Sequence, residues 1–331
     1  MKYRKFAVLG SNSFAGAEFV ARALSDGAQV IGFNRSLEGS HIFLPYLKNA
    51  DAQKYRFYQA DINQNLDAIL RHLDHFEPEV VVDFAGQGMV AESWQNPDQW
   101  SSTNIVSKVK LHSQLLSRNW LKRYVRVSTP EVYGSQDHKT RESWAYNPST
   151  PYAVSHAAID MSLKAFELQY GFPVVFTRFA NFYGPGQQLY RIIPRAIIYA
   201  LTKRKLPLQG GGKSVRAFIY GSDIADGIMR ATNLGLSGEA YHFSPDKFIT
   251  IKQVVETVCH KIGVEFDSMV EHAPDRPGKD QAYLMDSAKA REKLGWSDKV
   301  DFEQGVDLTV SWIKNSMSEI EKLPLNYIHK A

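Results

Sequence analysis

The first 34 residues constrain the fold most tightly. "KFAVLG" (5–10) is a short apolar run, "FAGAEFVARALSDG" (14–27) has helical patterning closed by Gly27, and "AQVIGFN" (28–34) is apolar again. A buried strand, a helix and a second buried strand joined by such short turns form a β–α–β unit, and so a parallel sheet. The first turn reads "GSNSFAG", with Gly10 and Gly16 at its ends and Ser13 where a middle glycine could stand. Small residues there let the backbone approach a pyrophosphate. The first helical turn, at Phe14, Ala15 and Gly16, supplies amide donors at the positive end of the helix dipole. The alternative is an ordinary tight turn. The binding reading rests on its position, after a strand and before a helix.

The pattern then repeats. "RFYQADI" (56–62), "EVVVDFAG" (79–86), "RYVRVST" (123–129) and "PVVFTRF" (173–179) are further strand-like runs, with helical segments at 65–76, about 98–120 and 151–170. Runs such as "VVVDF" suit strands covered on both faces. The expected fold class is α/β: a Rossmann-type, doubly wound parallel sheet over residues 1–180, with a later return segment near 218–234. Residues 181–331 read mainly as a smaller mixed α/β substrate lobe. There the pattern loosens into turn-rich "NFYGPGQQ", "LPLQGGGKS" and "HAPDRPGKD", interrupted by helical segments at 191–204, 222–234, 250–263 and 287–295.

Composition narrows the class of partner. Net charge is only +4 and no basic run stands out, so nucleic acid is not expected. The single cysteine, Cys259, sits in an apolar helical segment; it excludes an intrachain disulfide and fits a reducing compartment such as the cytoplasm. No stretch approaches the ~20 apolar residues that cross a bilayer, and the N-terminal apolar run is too short for a signal peptide. A soluble cytoplasmic protein is therefore expected. His72, His75 and His242 lack cysteine partners at ligand spacing, so no metal is expected. Trp94, Trp100, Trp120 and Trp144 read as packing residues, with Trp144 also placed to line an entrance before the 151–170 helix.

Several residues at strand ends suit a dinucleotide. The second strand ends in Asn34–Arg35, where an NAD site would use a carboxylate on the adenosine ribose. Arg35 can pair with a 2′-phosphate, or be a surface arginine; it tips the expectation toward NADP with NAD left open. Asp61, beside Ile62, follows the third strand and can reach an adenine amino group. Phe84, Ala85 and Gly86 follow the fourth and leave room for a flat cofactor.

Three further stretches, "RVSTPEVYG" (126–134), "TPYAVSH" (150–156) and "TRFANFYGPG" (177–186), fall at strand carboxyl ends or just after, where open α/β sheets bind ligands. Taken in order with "GSNSFAG", "FAGQGMVAESWQNPDQWSSTN", "LQGGGKSVRAFIYGSDIADG" and "DRPGKD" (275–280), they make the chain resemble the extended short-chain dehydrogenase/reductase family over nearly its whole length. Within that family it is similar to the dTDP-glucose-type nucleotide-sugar 4,6-dehydratases. The resemblance implies tightly bound NAD or NADP, a nucleotide-diphosphate sugar as substrate, and a homodimer formed through a four-helix bundle. It also implies roles. Tyr152 takes the proton of the sugar 4-hydroxyl as C4 gives hydride to the nicotinamide. Thr129 hydrogen-bonds that hydroxyl. Glu131 removes the C5 proton, water leaves from C6, and the hydride returns there. Gln87, Asn181, Arg191, Arg216 and Arg276 are implied for the nucleotide or diphosphate.

Two positions depart from the family pattern. Pro130 stands where relatives usually have Asp; it can neither donate nor relay a proton, and it removes an N–H at the strand end. Glu131 or a water would then serve both elimination steps. His156 stands where the family has a lysine that holds the nicotinamide ribose and acidifies the tyrosine. A histidine can hold the ribose, but above ~6.5 it supplies little charge. The expectation is sugar oxidation that is slow at pH 7, or assisted by another cation. These departures keep open a 4-epimerase, a C4 dehydrogenase, a decarboxylase of a nucleotide-linked uronic acid, and a catalytically impaired nucleotide-sugar-binding protein.

Overall fold

Seven parallel strands form one sheet: β1 (Lys5–Leu9), β2 (Gln29–Asn34), β3 (Tyr55–Gln59), β4 (Val80–Asp83), β5 (Arg123–Ser128), β6 (Val174–Phe179) and β7 (Ala240–Phe243), in the order β7-β6-β5-β4-β1-β2-β3. The structure is a computed structural model and describes residues 2–274 and 282–330. The main helices are α1 (Phe14–Ser25), α2 (Leu66–Phe76), α3 (Ser107–Leu115), α4 (Pro151–Tyr170), α5 (Ile192–Leu201), α6 (Gly221–Leu234), α7 (Ile251–Ile262) and α8 (Phe302–Asn315). Alternation along β1 explains the three layers. Phe6 and Val8 face a core shared with Phe19 of α1 and Ile224 and Ile228 of α6, while Ala7 and Leu9 face Leu70, Leu73, Leu111 and Leu163 of α2, α3 and α4. All four residues of β4 are buried, as its unbroken "VVVD" requires.

β1 pairs with β2 on one side and β4 on the other, so the direction of strand succession reverses between β1 and β4. A crevice opens at the carboxyl ends of those two strands, the position where such sheets bind ligands. After residue 180 the chain comes back to the sheet and goes further than the 218–234 segment: α6 packs on α1, and β7 pairs with β6. Much of the rest forms a lobe in which α5, α7 and α8 share a core that includes Ile197, Val254, Val258, Val306 and Ile313.

One long helix of the sequence reading is interrupted. In place of about 98–120 there is a short helix Pro97–Ser101, a π-helical stretch Ser102–Val106, and then α3. The wider turn carries Asn104, which is fully buried beneath the crevice. Single π turns of this kind are frequent at functional sites. Among the described residues, no helix is long and apolar enough to cross a membrane.

Candidate active site

The crevice begins with two glycines that no other residue could replace. Gly10 has φ +80°, and a Cβ there would lie 2.9 Å from the backbone nitrogen of Ala85. A Cβ on Gly16 would sit 2.3 Å from the carbonyl of Gly10. Ser13 closes the turn with its side chain: Oγ donates to the Gly10 carbonyl at 2.7 Å and accepts from the Gly16 N–H at 3.1 Å, capping α1. Phe14 and Ala15 are buried in that first turn. The groove over it is lined by Gly10, Ser13, Asn34, Arg35, Asp61, Ile62, Phe84, Ala85, Gly86 and Gln87. Loop bonds hold its rim. Asn34 donates to the Ser36 carbonyl at 3.1 Å, and Asp61 accepts from the Asn63 N–H at 2.8 Å. A tight turn that admits no β-carbon at 10 or 16, a helix N-terminus and the small residues Ala85 and Gly86 fit a dinucleotide.

A second set of residues gathers beside this groove. β5 runs into Thr129, which caps a one-turn 3-10 helix, Pro130–Tyr133. Thr129 Oγ1 accepts from the Glu131 N–H at 3.3 Å and donates to Glu131 Oε2 at 3.3 Å. Pro130 takes the first position of that turn, where an N–H has no intrahelical partner to lose. The proline is thus accommodated without the lost strand-end bond that the sequence suggested. α4 starts as its sequence implies, with Pro151 in the first turn and Thr150 accepting from the Ala153 N–H at 3.1 Å. The rings of Tyr152 and His156 lie one turn apart, centroid to centroid 4.5 Å. The Thr129 hydroxyl faces the Tyr152 phenol and favours its ionised form. Burial, then the charge of Glu131, raise that phenol well above its ordinary value, while Thr129, Arg191 and Arg126 pull it down.

Asn104 ties the groove to the tyrosine helix. Its Oδ1 accepts from the Gln87 N–H at 2.9 Å, and its Nδ2 donates to the Gln87 carbonyl at 3.1 Å and to Ser155 Oγ at 2.9 Å. The stretch ending in Thr103–Asn104 marks the family resemblance, yet nothing in the sequence says that the π turn aims Asn104 inward.

Beneath the helix lies an ionic network invisible to motif reading. Arg126 of β5 donates from Nε to Asp160 Oδ1 at 3.1 Å and from Nη2 to His156 Nδ1 at 2.9 Å. Asp160 also accepts from Ser128, and from Arg178 at 3.0 Å. Lys108 Nζ donates to Asp83 Oδ2 at 2.6 Å, and Tyr124 donates to the same oxygen at 2.9 Å. Burial alone would raise the Asp83 carboxyl, but Lys108 and Arg126 outweigh it and hold it below the usual carboxylate range. Burial, then Arg126 and Lys108, push His156 well below its ordinary value, so it is neutral. The signal available in the sequence was an arginine inside "RYVRVST", a strand expected to be covered on both faces.

The positions implied for substrate are spread more widely. Gln87 is buried at the groove end, and its side-chain amide donates to the Lys330 carbonyl at 2.8 Å. Asn181 is exposed at the start of a short strand paired with Phe218–Tyr220. Arg191 is exposed at the N-cap of α5, over the ring of Tyr190. Arg216 is buried, with its guanidinium 4.4 Å from the centre of the Tyr283 ring. Arg276 and "DRPGKD" lie outside the described residues.

A seven-stranded doubly wound sheet, a glycine-cradled groove at its switch point and a hydroxyl–carboxylate–phenol set beside it define a dinucleotide-fold protein of the dehydrogenase/dehydratase kind. The chain belongs to the family described as GDP-mannose 4,6 dehydratase, whose family model matches residues 8–309. It is 32% identical to the dTDP-glucose 4,6-dehydratase of Xanthomonas campestris pv. campestris (strain B100), over 95% of this chain and 94% of that one. The dTDP-glucose 4,6-dehydratase of Streptomyces niveus is also 32% identical, over 96% of this chain and 95% of the relative. Among solved structures, DesIV, the dTDP-glucose 4,6-dehydratase of Streptomyces venezuelae with NAD bound, superposes with a TM-score of 0.87 at 30% identity, covering 95% of this chain and 98% of DesIV. The UDP-glucose 4-epimerase of Thermotoga maritima with UDP-glucose gives 0.86 at 26% identity, covering 95% of this chain and 99% of the epimerase.

Proposed function

We propose that this chain is an NDP-hexose 4,6-dehydratase that works with a nicotinamide dinucleotide. The observation that carries the reading is the meeting of Thr129, Glu131 and Tyr152 beside the groove. The dinucleotide would be held by the Gly10–Gly16 turn, by Asn34 and Arg35 at the adenosine ribose, by Asp61 and Ile62 at the adenine, and by Phe84–Gly86 along its length. Tyr152 and His156 would meet the second ribose. When bound, it supplies the reversible hydride chemistry. Kinship with NAD-bound DesIV supports an NAD-type cofactor. The finer choice of NADP is supported by Arg35, with no carboxylate at the end of β2.

The residues divide the proton work. Tyr152 takes the proton of the sugar 4-hydroxyl, with Thr129 hydrogen-bonding that oxygen. The resulting C4 ketone acidifies the C5–H bond. Glu131 takes the C5 proton and delivers it to the C6 oxygen as the C6–O bond breaks, so water leaves; the hydride removed at C4 would then return to C6 while C5 regains a proton from water through Glu131. Pro130 has no proton to offer, so one carboxyl serves both halves of the elimination. Asn181, Arg191, Arg216 and Arg276, with Gln87, are the proposed contacts to the nucleotide diphosphate. Glu131 favours this reaction over a 4-epimerase, which needs no C5 base.

A homodimer is supported by an apolar stripe on α4: Val154, Met161 and Leu168 are exposed at seven-residue spacing. Pairing that face and the Pro97–Leu115 segment with a second copy would complete a four-helix bundle. The lone, buried Cys259 suits a reducing compartment such as the cytoplasm.

The test is a panel of nucleotide hexoses with NAD and NADP. A 4-keto-6-deoxy product with no net reduced cofactor is expected. Accumulating reduced cofactor would instead mark a C4 dehydrogenase, and binding without either would mark an impaired enzyme.

A further inference from the structure

A guanidinium inside a parallel sheet is tolerated only when its donors are matched to acceptors. Arg126 is 1% exposed, and its donors are distributed with care. Nε faces Asp160 at 3.1 Å, Nη1 donates to the Val127 carbonyl at 3.0 Å with Asp83 at 3.7 Å, and Nη2 points at His156 Nδ1 at 2.9 Å. A guanidinium only donates. His156 Nδ1 must therefore accept, which leaves the ring proton on Nε2. Protonating Nδ1 would press one N–H against another beside a full positive charge, with Lys108 adding to the repulsion.

The charges around this pair come from every element packed on it. β4 gives Asp83, α3 gives Lys108 and His112, β5 gives Tyr124 and Arg126, α4 gives Asp160, and β6 gives Arg178. On the ligand side stand Tyr152, Glu131 and Arg191. Among the described residues, Lys108, Arg126 and Arg178 face only Asp83 and Asp160 in the ion-pair chain, which leaves one positive charge in excess there. That excess sits behind the Tyr152–His156 face; Arg191 on the ligand side and then Arg126 behind the helix draw the phenol downward.

We infer that Arg126 is a positioning residue: it locks His156 as a neutral Nε2–H donor and supplies from behind the helix the fixed positive charge that favours the Tyr152 phenolate. This inference rests on the proposed role of Tyr152 as the proton acceptor. The two roles of a lysine in a Tyr–Lys pair, hydrogen bond and charge, are in effect separated here. The histidine keeps the hydrogen bond, and the arginine one layer deeper keeps the charge.

The test has one arm independent of turnover. In wild-type protein with 15N-labelled histidine, the His156 resonances are assigned by their loss in His156→Gln. They are expected to report an unprotonated Nδ1 and a protonated Nε2, unchanged from about pH 5.5 to 9 although an ordinary histidine titrates near 6.5. Titration near that value, or a proton on Nδ1, overturns the inference, whether or not any Arg126 variant folds. The second arm follows single-turnover sugar oxidation against pH. Arg126→Gln is expected to move the alkaline rise of the rate upward by about one pH unit, and Arg126→Lys to return most of that shift. A purely structural arginine would lower the amplitude and leave the midpoint in place, which also overturns the inference. Tyr152→Phe separates the two readings. If oxidation survives that change, the role given to Tyr152 fails, while the tautomer result still stands or falls on the spectrum.

Discussion

The side-chain amide of Gln87 donates to the backbone carbonyl of Lys330 at 2.8 Å, tying the groove to a residue 243 positions away. Other bonds repeat the connection. Lys330 Nζ donates to Ser36 Oγ at 2.9 Å, and the His329 ring lies 5.6 Å from that of Trp100 and nearly parallel at 7°. Tyr327 meets Tyr190 of the lobe edge-on at 5.2 Å. Residues 326–330 thus run from the lobe to the groove rim as a strap. Removing residues 326–331 is expected to speed dinucleotide release roughly tenfold, about 1.4 kcal/mol, and to raise KM for the sugar nucleotide more than it lowers kcat. Stopped-flow release and steady-state kinetics check this. Unchanged rates would reduce the strap to a surface ornament.

His156→Lys now carries the opposite expectation from the one the sequence suggests. By sequence, a lysine at 156 supplies a missing charge. In the structure it would push an ammonium toward Arg126 Nη2, which stands 2.9 Å from the ring nitrogen it replaces. A second buried positive charge with no carboxylate of its own is destabilising by about 2 kcal/mol or more. The single variant should melt lower and oxidise the sugar more slowly than wild type. In an Arg126→Gln background the same lysine should be tolerated and should improve the rate. Melting points and rates for the four proteins of this cycle give the coupling. A gain from His156→Lys in the wild-type background would contradict the geometry.

The contrast shows which part of the site a sequence can carry. Gly10, Ser13, Gly16 and the Thr150–Pro151 start of α4 act through neighbours in the chain, so their local pattern suffices. Apolar runs gave the strands for the same reason: burial on both faces leaves a contiguous signature. β7 escaped because "AYHF" is short and lies beyond the turn-rich segments, within the presumed lobe. Arg126, Asp160 and Lys108 escaped because their meaning is tertiary. Each is a charged residue whose partner comes from another layer, and no spacing rule joins position 126 to 160 or 83 to 108. Asn104 depended on a π turn that shifts its side chain's direction. A helical pattern gives no warning of such a turn.

Arg35 should govern cofactor choice. It lines the groove at the end of β2 beside Asn34, with its backbone carbonyl held by Gln59 at 3.1 Å. A charge-assisted contact to a 2′-phosphate contributes on the order of 1.5–3 kcal/mol. Arg35→Ala is therefore expected to weaken NADP at least tenfold while leaving NAD within about twofold. Paired titrations of both dinucleotides check this. Equal losses for the two would assign Arg35 to shared parts of the cofactor and remove the argument for NADP.

Glu18 should set the alkaline limit of stability. It lies in α1 against the start of α6, and a Cβ on Gly221 would come within 2.9 Å of its carboxyl carbon. Burial raises this carboxyl from 4.5 to about 7. The folded protein thus holds the proton more tightly than the unfolded chain does. The resulting stabilisation is fully present below about pH 4.5 and disappears as pH rises through about 7. Above that pH, folding must accommodate a charge with little water around it. Glu18→Gln keeps the shape and removes the charge. It should change melting little near pH 4.5 and raise stability by about 2 kcal/mol at pH 8.5, a few degrees in Tm for a chain of this size. Thermal melts of both proteins across this range decide the matter. A gain of the same size at both ends would mean that the carboxyl does not titrate between them.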